Sequence, residues 1–469
     1  MGSLAGRIRK TVPHNCFLID SDYLCFYYQL RYTNIMLRFF RIGLALAIAT
    51  IAIAGATSCS KSEFEGPILI NDPVNLKRTF TINPGESVTL TSKFDVPESL
   101  NYEWSIDGAK TSVSEGSYVF TTNESGSYII TQRVFNGYGE AFIDYYVVVR
   151  GTYDKGTFLL NNNTTEASLT YISKDLTDVD ENAYATANPG KTLGAKIVSA
   201  QAYLGKFYII SQTEGLIVLN SITLKELGRI ALPAKANYFL GIDRTTALLS
   251  TDDGIYRINL NPLSVGEKIP GFGGRAGMMA NTPNYVLALT LENGVVAVDK
   301  SRLIVSKVLR VGRSGLAADI SGNVWTSHKD TLFKISPSLY VSSYRMPTGI
   351  TVTSSWNPWN EGSLCISTSE NALFFIRANS DGRPSREIYK VNINTISSSS
   401  PVLSTLPEGR AFSGIGLRID NENNIVASTV STIGDNPEVV VYRAADASLV
   451  KTIPTASTDT RSMLFNSVK

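Results

Sequence analysis

The sequence predicts an all-β protein in which an immunoglobulin-like β-sandwich precedes a seven-bladed β-propeller. Three observations support this class. The 469 residues include 22 tyrosines and 19 phenylalanines, which suits many strands better than long helices. Short runs that alternate apolar and polar residues fill positions 78–150. From Gly156 onward a unit of roughly 38 to 45 residues recurs, which is the length of one four-stranded propeller blade.

The composition excludes several classes of function. The formal net charge is +2, and basic and acidic residues are dispersed along the chain, so no basic stripe for nucleic acid is expected. His14 and His328 are the only histidines, and the four cysteines lack CxxC spacing. These counts disfavour a zinc site or a Ser-His-Asp triad. We therefore expect a binding protein rather than an enzyme, with neither a metal nor a cofactor.

The first 58 residues are interpreted as containing a targeting signal. Arg38 and Arg41 precede an apolar stretch over 42–56, the layout of a secretory signal peptide. The stretch ends in Ala-Thr-Ser followed by Cys59, which resembles the lipobox of bacterial lipoproteins, whose cysteine is lipidated. An uncleaved membrane helix is the alternative, but the apolar run is short for a span of about 20 residues. We expect residues 1–35 to be an upstream mis-start and 36–58 the signal peptide.

A polar tether is expected over residues 59–77. No aspartate follows Cys59, and Glu63 and Glu65 lie close behind it. This pattern resembles outer-membrane lipoproteins, and the two carboxylates resemble the surface-export tags of Bacteroidota. Simple solvation of a linker would also explain the charges. The expected location is the outer membrane, lipid-anchored and exposed at the cell surface.

The sandwich is assigned to residues 78–150, where five to seven short strands are expected. The stretch around Tyr102, Trp104 and Asp107, with Gly126 to Tyr128 behind it, resembles polycystic-kidney-disease (PKD) and immunoglobulin-like repeats. The chain departs from that pattern, since it lacks the WDFGDG box and a cysteine pair. In such modules the tryptophan packs inside, so Trp104 is predicted to be a core residue.

The propeller is assigned to residues 151–469, where seven units can be traced. A strand that follows a tight turn marks five of them, at 215–220, 254–259, 294–299, 330–335 and 438–442. The strand before this marker also recurs, at 205–210, 285–289, 322–326 and 424–428. The first unit, 157–197, lacks an innermost strand, while 461–467 is a spare one. Because a single blade cannot bury both faces, we predict that the C-terminal strand closes the ring.

These repeats resemble the surface-layer-like seven-bladed propeller lipoproteins of Bacteroidota. Some members of that group capture cobalamin for a TonB-dependent outer-membrane transporter. The resemblance implies a cobamide as ligand and such a transporter as partner. A glycan or a protein remains the alternative ligand. A lactonase-like enzyme is disfavoured because the inner strands offer no set of metal ligands.

Candidate site residues come from the loops that converge on one end of a propeller, where ligands usually bind. They combine aromatic rings with arginine and imidazole donors: Trp356, Trp359, Phe272, Arg275, Arg410, Phe412, Tyr238 and His328. The two tryptophans could instead fill the gap between blades. His328 could approach the cobalt of a corrinoid or simply bond to a loop. Asp252-Asp253-Gly254 favours a tight turn over a calcium loop, and Trp325 is predicted to lie in the core.

We predict that Cys59 carries the lipid anchor. A Cys59→Ala variant should leave the membrane fraction or accumulate as an uncleaved precursor, because the acylated thiol would be absent. Cell fractionation with a blot against the mature protein measures this. Normal membrane retention of a processed variant would contradict the assignment.

Overall fold

The computed structural model describes residues 68–69, 76–95, 99–353, 362–367, 369–396, 402–434 and 436–466, with the backbone alone at 68, 69 and 95. Strands dominate these ranges, and their single helix is the short α1 (Ala183–Ala187), which confirms the all-β class. No helix within them is long and apolar enough to cross a membrane. Cys59, the signal region 36–58 and the segment 1–35 lie outside the described residues.

The N-terminal part contains a five-stranded sheet, in the order β2-β9-β8-β5-β6, and two-stranded sheets β3-β7 and β1-β4. The strands are β1 (Ile68–Leu69), β2 (Thr79–Ile82), β3 (Ser87–Thr91), β4 (Phe94–Asp95), β5 (Asn101–Ile106), β6 (Ala109–Lys110), β7 (Ser117–Thr121), β8 (Gly126–Phe135) and β9 (Glu140–Val149). Strands β2 and β9 are parallel. We refer to these three sheets as the N-terminal sheets.

One apolar core joins the N-terminal sheets. Leu90 and Phe120 from β3 and β7 pack in a cluster with Trp104 from β5. Trp104 is 1% exposed, its ring lies 6.0 Å from that of Tyr145, and its indole N–H donates to the carbonyl of Glu115 at 2.8 Å. The tryptophan is therefore buried with its polar atom satisfied, as predicted.

Seven four-stranded antiparallel sheets follow within the described residues. Sheet 1 combines β12, β11, β10 and β37, and sheets 2 to 7 each use four consecutive strands, β13–β16 through β33–β36. In chain order the strands are β10 (Gly156–Asn161), β11 (Ser168–Ser173), β12 (Val179–Asp180), β13 (Ile197–Tyr203), β14 (Lys206–Ser211), β15 (Gly215–Asn220), β16 (Glu226–Ile230), β17 (Ala236–Gly241), β18 (Thr246–Thr251), β19 (Ile255–Leu260), β20 (Leu263–Lys268), β21 (Ala276–Asn281), β22 (Tyr285–Thr290), β23 (Gly294–Asp299), β24 (Ile304–Val308), β25 (Ser314–Ala318), β26 (Val324–His328), β27 (Thr331–Ile335), β28 (Val341–Arg345), β29 (Cys365–Ser367), β30 (Ala372–Ala378), β31 (Pro384–Asn392), β32 (Val402–Thr405), β33 (Arg410–Ile419), β34 (Asn424–Ser431), β35 (Glu438–Arg443), β36 (Leu449–Pro454) and β37 (Thr460–Asn466).

The sheets are arranged as a closed ring. Their innermost strands contact one another in the order β37, β13, β17, β21, β25, β29, β33 and back to β37. Buried clusters lie between neighbouring sheets, because each sheet is apolar on both faces. Trp325 of β26 is fully buried and donates its indole N–H to Asp319 at 3.0 Å, which confirms the predicted core position. The fold is propeller-like.

Strand β37 supplies the innermost strand of sheet 1, which confirms the predicted closure. It pairs antiparallel with β10, from Gly156↔Asn466 to Asn161↔Thr460. A chain of buried hydrogen bonds also crosses this seam, with spacings of 2.8 to 3.0 Å. From donor to acceptor it runs through Ser413, Ser428, Thr460, Asn161, Thr170 and Glu181. Each member left unpaired would cost about 1–3 kcal/mol, so the seam favours this strand in this register.

The N-terminal sheets contact one end of the ring. The Arg244 guanidinium, between β17 and β18, bonds to Asp144 at 2.5 Å and to Thr131 at 3.0 Å. Gly205, between β13 and β14, has φ +70°, and a Cβ there would lie 2.3 Å from the Cβ of Ser127. Only glycine fits so close an approach without strain. These contacts come from the first-to-second strand turns of sheets 2 and 3.

We predict that the ring depends on β37. Ending the chain after Asp459 would leave β10 with an unpaired edge and sever the hydroxyl chain, so the melting temperature should fall by more than about 10 °C. Differential scanning calorimetry measures the change. Ending the chain after Asn466 is the matched control and should shift it by no more than about 2 °C. Equal melting temperatures for the two truncated chains would contradict closure by β37.

Candidate ligand-binding face

Chain direction separates the connections of the ring into two ends. Turns between first and second strands lie at the end that contacts the N-terminal sheets, so connections between second and third strands, and between sheets, lie at the other end. We call that other end the mouth face. Its described connections are 162–167, 188–196, 212–214, 231–235, 252–254, 269–275, 291–293, 309–313, 329–330, 346–353, 362–364, 379–383, 406–409, 432–434 and 455–459.

The sequence-predicted residues that the structure describes lie at or near this face. Phe272 and Arg275 are in the connection before β21, and Arg410 begins β33. His328 ends β26. Tyr238 and Phe412 lie two residues into β17 and β33. Trp356 and Trp359 lie outside the described residues.

The described aromatic side chains are mostly buried. Tyr238 and Phe272 are 7% and 9% exposed and belong to one apolar cluster. Phe412 is 8% exposed and packs in the cluster between sheets 6 and 7. The Tyr238 hydroxyl accepts a bond from the Gln201 side chain at 2.7 Å. The three aromatic side chains pack between the sheets beneath the mouth face. They do not form an open surface on which a ligand could stack.

Arg410 is held within its own sheet. Its guanidinium donates to Thr429 Oγ1 at 2.8 Å and to the carbonyl of Asn436 at 2.9 Å. It also forms an ion pair with Glu438 at 2.7 Å. The side chain therefore ties the start of β33 to β34 and β35, and a ligand would have to compete with these bonds.

His328 and Arg275, by contrast, are exposed. Partial burial of the imidazole, followed by the positive charges of Lys329 and Arg313, lowers the pKa of His328. The ring is therefore neutral at physiological pH and can both donate and accept a hydrogen bond.

A hollow of about 640 Å³ opens on the mouth face of sheet 2. Its polar lining includes Gln212, Thr213, Glu214, Arg229 and Lys235, and its apolar wall comes from 230–234. A volume of this size is typical of ligand-binding clefts. None of the residues that line this hollow is among the candidates predicted from the sequence.

The wall of the hollow is fixed by an ion-pair cluster. Arg229 bonds to both oxygens of Glu226, at 3.0 and 2.7 Å, and Tyr184 donates to Glu226 at 2.6 Å. The bonds from Arg229 lower the pKa of Glu226 to about 2. A register shift opposite Leu219 leaves Leu227 as an extra residue, so Glu226 and Arg229 face the same side. An ideal strand would place residues three apart on opposite faces, so the pairing of Glu226 with Arg229 cannot be recognised from their spacing.

Groups for metal binding or nucleophilic chemistry are few in the described part of the chain. No group of three or more His, Cys, Asp or Glu side chains in it is placed to hold a metal ion. Cys365 is a free cysteine, and burial raises the pKa of its thiol to about 12. The thiol is therefore protonated at physiological pH and a poor nucleophile.

The fold and this face define a propeller-like β protein with an open, polar end. The chain belongs to the family described as "Domain of unknown function (DUF5074)", whose model matches residues 155–462, more than half of its length. No curated protein matches the sequence.

Solved structures resemble the chain in fold. A quinoprotein alcohol dehydrogenase-like protein from Bacteroides thetaiotaomicron is 16% identical with a TM-score of 0.55, covering 86% of this chain and 99% of that one. The extracellular domain of a one-component system from the same organism is 11% identical with a TM-score of 0.45, covering 68% and 46%. PorZ, a surface component of the type-IX secretion system of Porphyromonas gingivalis, is 8% identical with a TM-score of 0.37, covering 71% and 44%. At such identities the first match shows the fold alone.

We predict opposite behaviour for two neighbours on the mouth face. Phe272→Ala should lower the free energy of unfolding by about 3–5 kcal/mol, because it empties part of a buried cluster. Arg275→Ala, at an exposed position, should lower it by about 1 kcal/mol or less. Urea denaturation of the two variants measures both values. Equal losses would show that Phe272 is not a core residue.

Proposed function

We propose that the protein is an outer-membrane surface lipoprotein that binds a ligand at the mouth face of a seven-bladed propeller. In this proposal Cys59 carries the anchor, residues 59–77 are a tether, residues 78–150 form an immunoglobulin- or PKD-like module, and residues 151–469 form the propeller. The first candidate ligand is a cobamide, handed to a TonB-dependent transporter. The alternative is a glycan or protein ligand. The protein binds its ligand without catalysis.

One observation carries the proposal: the N-terminal sheets contact the ring at the end opposite the mouth face. Asp144 and Ser127 reach sheets 3 and 2 through Arg244 and Gly205. The proposed anchor and tether precede the N-terminal sheets in the chain, so the tethered module lies at the end of the ring opposite the mouth face. Such an orientation suits the capture of an external ligand.

The chemistry of the mouth face supports binding over catalysis. Two of its carboxylates are engaged within the protein: Glu214 pairs with Arg229 at 2.5 Å, and Asp253 accepts a bond from Thr251 at 2.8 Å. Thr251 and other bonds lower the pKa of Asp253. A general acid would need a raised pKa, so this carboxylate suits a structural or binding role.

The two ligand candidates rest on different supports. The cobamide rests on the resemblance of the repeat pattern to cobalamin-capturing lipoproteins. The glycan is supported by the hollow at Gln212 and Lys235, because neighbouring amide, hydroxyl and ammonium groups can donate hydrogen bonds to sugar oxygens.

We expect the mature chain, extracted in mild detergent, to bind one of these two ligand classes. Co-purification with cyanocobalamin is followed by absorbance, and a panel of host and plant glycans is tested by calorimetry. An Arg275→Ala/His328→Ala double variant should weaken binding by about tenfold or more, since both exposed side chains lie on the mouth face.

The control for this experiment is Arg443→Ala, an exposed arginine at the end of β35 away from the mouth face. It should bind like the parent. Absence of binding to cyanocobalamin and to every glycan, or equal loss in the double variant and the control, would contradict the proposed function.

A further inference from the structure

Four consecutive sheets of the ring carry a cation at the same structural position. The innermost and second strands of sheets 2 to 5 begin their pairing at Ile197↔Ser211, Ala236↔Thr251, Ala276↔Thr290 and Ser314↔Ser327. The residue just before each innermost strand is basic: Lys196, Lys235, Arg275 and Arg313. We call these four residues the cationic arc. The register makes the positions equivalent, so the four charges repeat with the sheets.

The cationic arc is continuous and occupies one side of the mouth face. Strands β13, β17, β21 and β25 contact one another in that order, and all four basic side chains are exposed. The equivalent residues on the other side differ: Gly409 precedes Arg410↔Ser431, and Asp459 precedes Thr460↔Asn161. The charge is thus concentrated on sheets 2 to 5.

The contacts of Lys235 and Arg313 leave much of the charge of these two members of the arc available. Lys235 lies 3.8 Å from Asp252, and both side chains are partly or largely exposed, so solvent strongly screens this ion pair. Arg313 donates to the carbonyl of Leu291, a neutral acceptor that leaves its positive charge uncompensated. Glu214, the nearby carboxylate of sheet 2, is engaged by Arg229.

The hollow of sheet 2 lies beside one member of the arc. Its lining includes Lys235 together with Gln212 and Thr213, so a cation and neutral hydrogen-bonding groups face the same space. At the other end of the arc, Arg313 precedes β25, and the exposed His328 ends the neighbouring strand β26. Hydrogen-bonding groups therefore accompany the cations at both ends of the arc.

We infer that the cationic arc binds an acidic polysaccharide, a chain of uronic-acid sugars whose repeated carboxylates contact Lys196, Lys235, Arg275 and Arg313. This inference rests on the proposed function, since it assigns a ligand class to the mouth face. Repeated cations at equivalent positions fit a ligand whose charge also repeats. The hollow at Gln212 and Thr213 accommodates the hydroxyl groups of one sugar.

Two other anions fit the arrangement less well. Single-stranded nucleic acid binds on exposed aromatic rings as well as cations, and Tyr238, Phe272 and Phe412 are buried. A cobamide with a nucleotide loop carries one phosphodiester, which would engage one or two members of the arc. A polyuronate engages all four, and this difference can be tested.

The test compares two fourfold variants of the mature chain with equal loss of charge. The first is Lys196→Gln/Lys235→Gln/Arg275→Gln/Arg313→Gln. The matched control is Lys225→Gln/Lys307→Gln/Arg443→Gln/Lys451→Gln, four exposed cations that lie outside the mouth face. Calorimetry measures binding to polygalacturonate, neutral dextran, cyanocobalamin and a thymidine oligonucleotide, and circular dichroism melting verifies that both variants fold.

Polygalacturonate is expected to bind the parent, with affinity that falls at least about tenfold when NaCl rises from about 50 to about 500 mM. The arc variant should lose about 100-fold in affinity and the control less than about threefold. If polygalacturonate does not bind the parent while dextran or cyanocobalamin binds and the arc variant retains that binding in full, the inference is overturned and the proposed function stands. Equal loss in both variants, or equal affinity for the oligonucleotide, would show only nonspecific charge attraction and would overturn the inference. If none of the four probes binds the parent, the inference fails, and the panel of host and plant glycans decides the proposed function.

Discussion

The structure depends on one constraint: every sheet in the ring must pack against a neighbouring sheet on both of its faces. A four-stranded sheet that is apolar on both sides cannot be buried alone, so the ring is stable only when the last sheet meets the first. Strand β37 meets this constraint by entering sheet 1 beside β10. The hydrogen-bond chain from Ser413 to Glu181 runs in one direction across the seam. Each hydroxyl that accepts a bond also donates one, and the last acceptor is a carboxylate. Apolar packing could tolerate other registers, but this chain of bonds requires one.

Much of the fold could be predicted from the sequence because its signals are local or periodic. The strand after each tight turn recurs at the blade period, and the five predicted marker strands coincide with β15, β19, β23, β27 and β35. The first unit lacked an innermost strand, and the C-terminus had one strand to spare. Together these two observations made the closure of the ring predictable. Trp104 was recognisable as a core residue because the tryptophan of immunoglobulin-like modules packs inside, and Trp325 because it lies within a strand.

The mouth face was less predictable, for physical reasons. Tyr238, Phe272 and Phe412 lie where a side chain can point into the channel or between two sheets, and the sequence does not distinguish these directions. The side of Arg229 depends on one extra residue, Leu227, in the register of β16. The cationic arc could not be recognised from the sequence for another reason. Its members are separated by whole sheets, and acidic residues elsewhere reduce the net charge to +2. Only the pairing register shows that four of the cations share one position.

The position of Gly156 opposite Asn466 has a mechanical consequence. The first and last strands of the ring are neighbours, so tension arriving from the N-terminal side would load β10, the strand that the seam holds in place. The bond between Arg244 and Asp144 and the close approach of Gly205 to Ser127 give that tension a second route, into sheets 2 and 3. A tethered protein in moving fluid would thus share the force among three sheets instead of peeling its ring open at the seam.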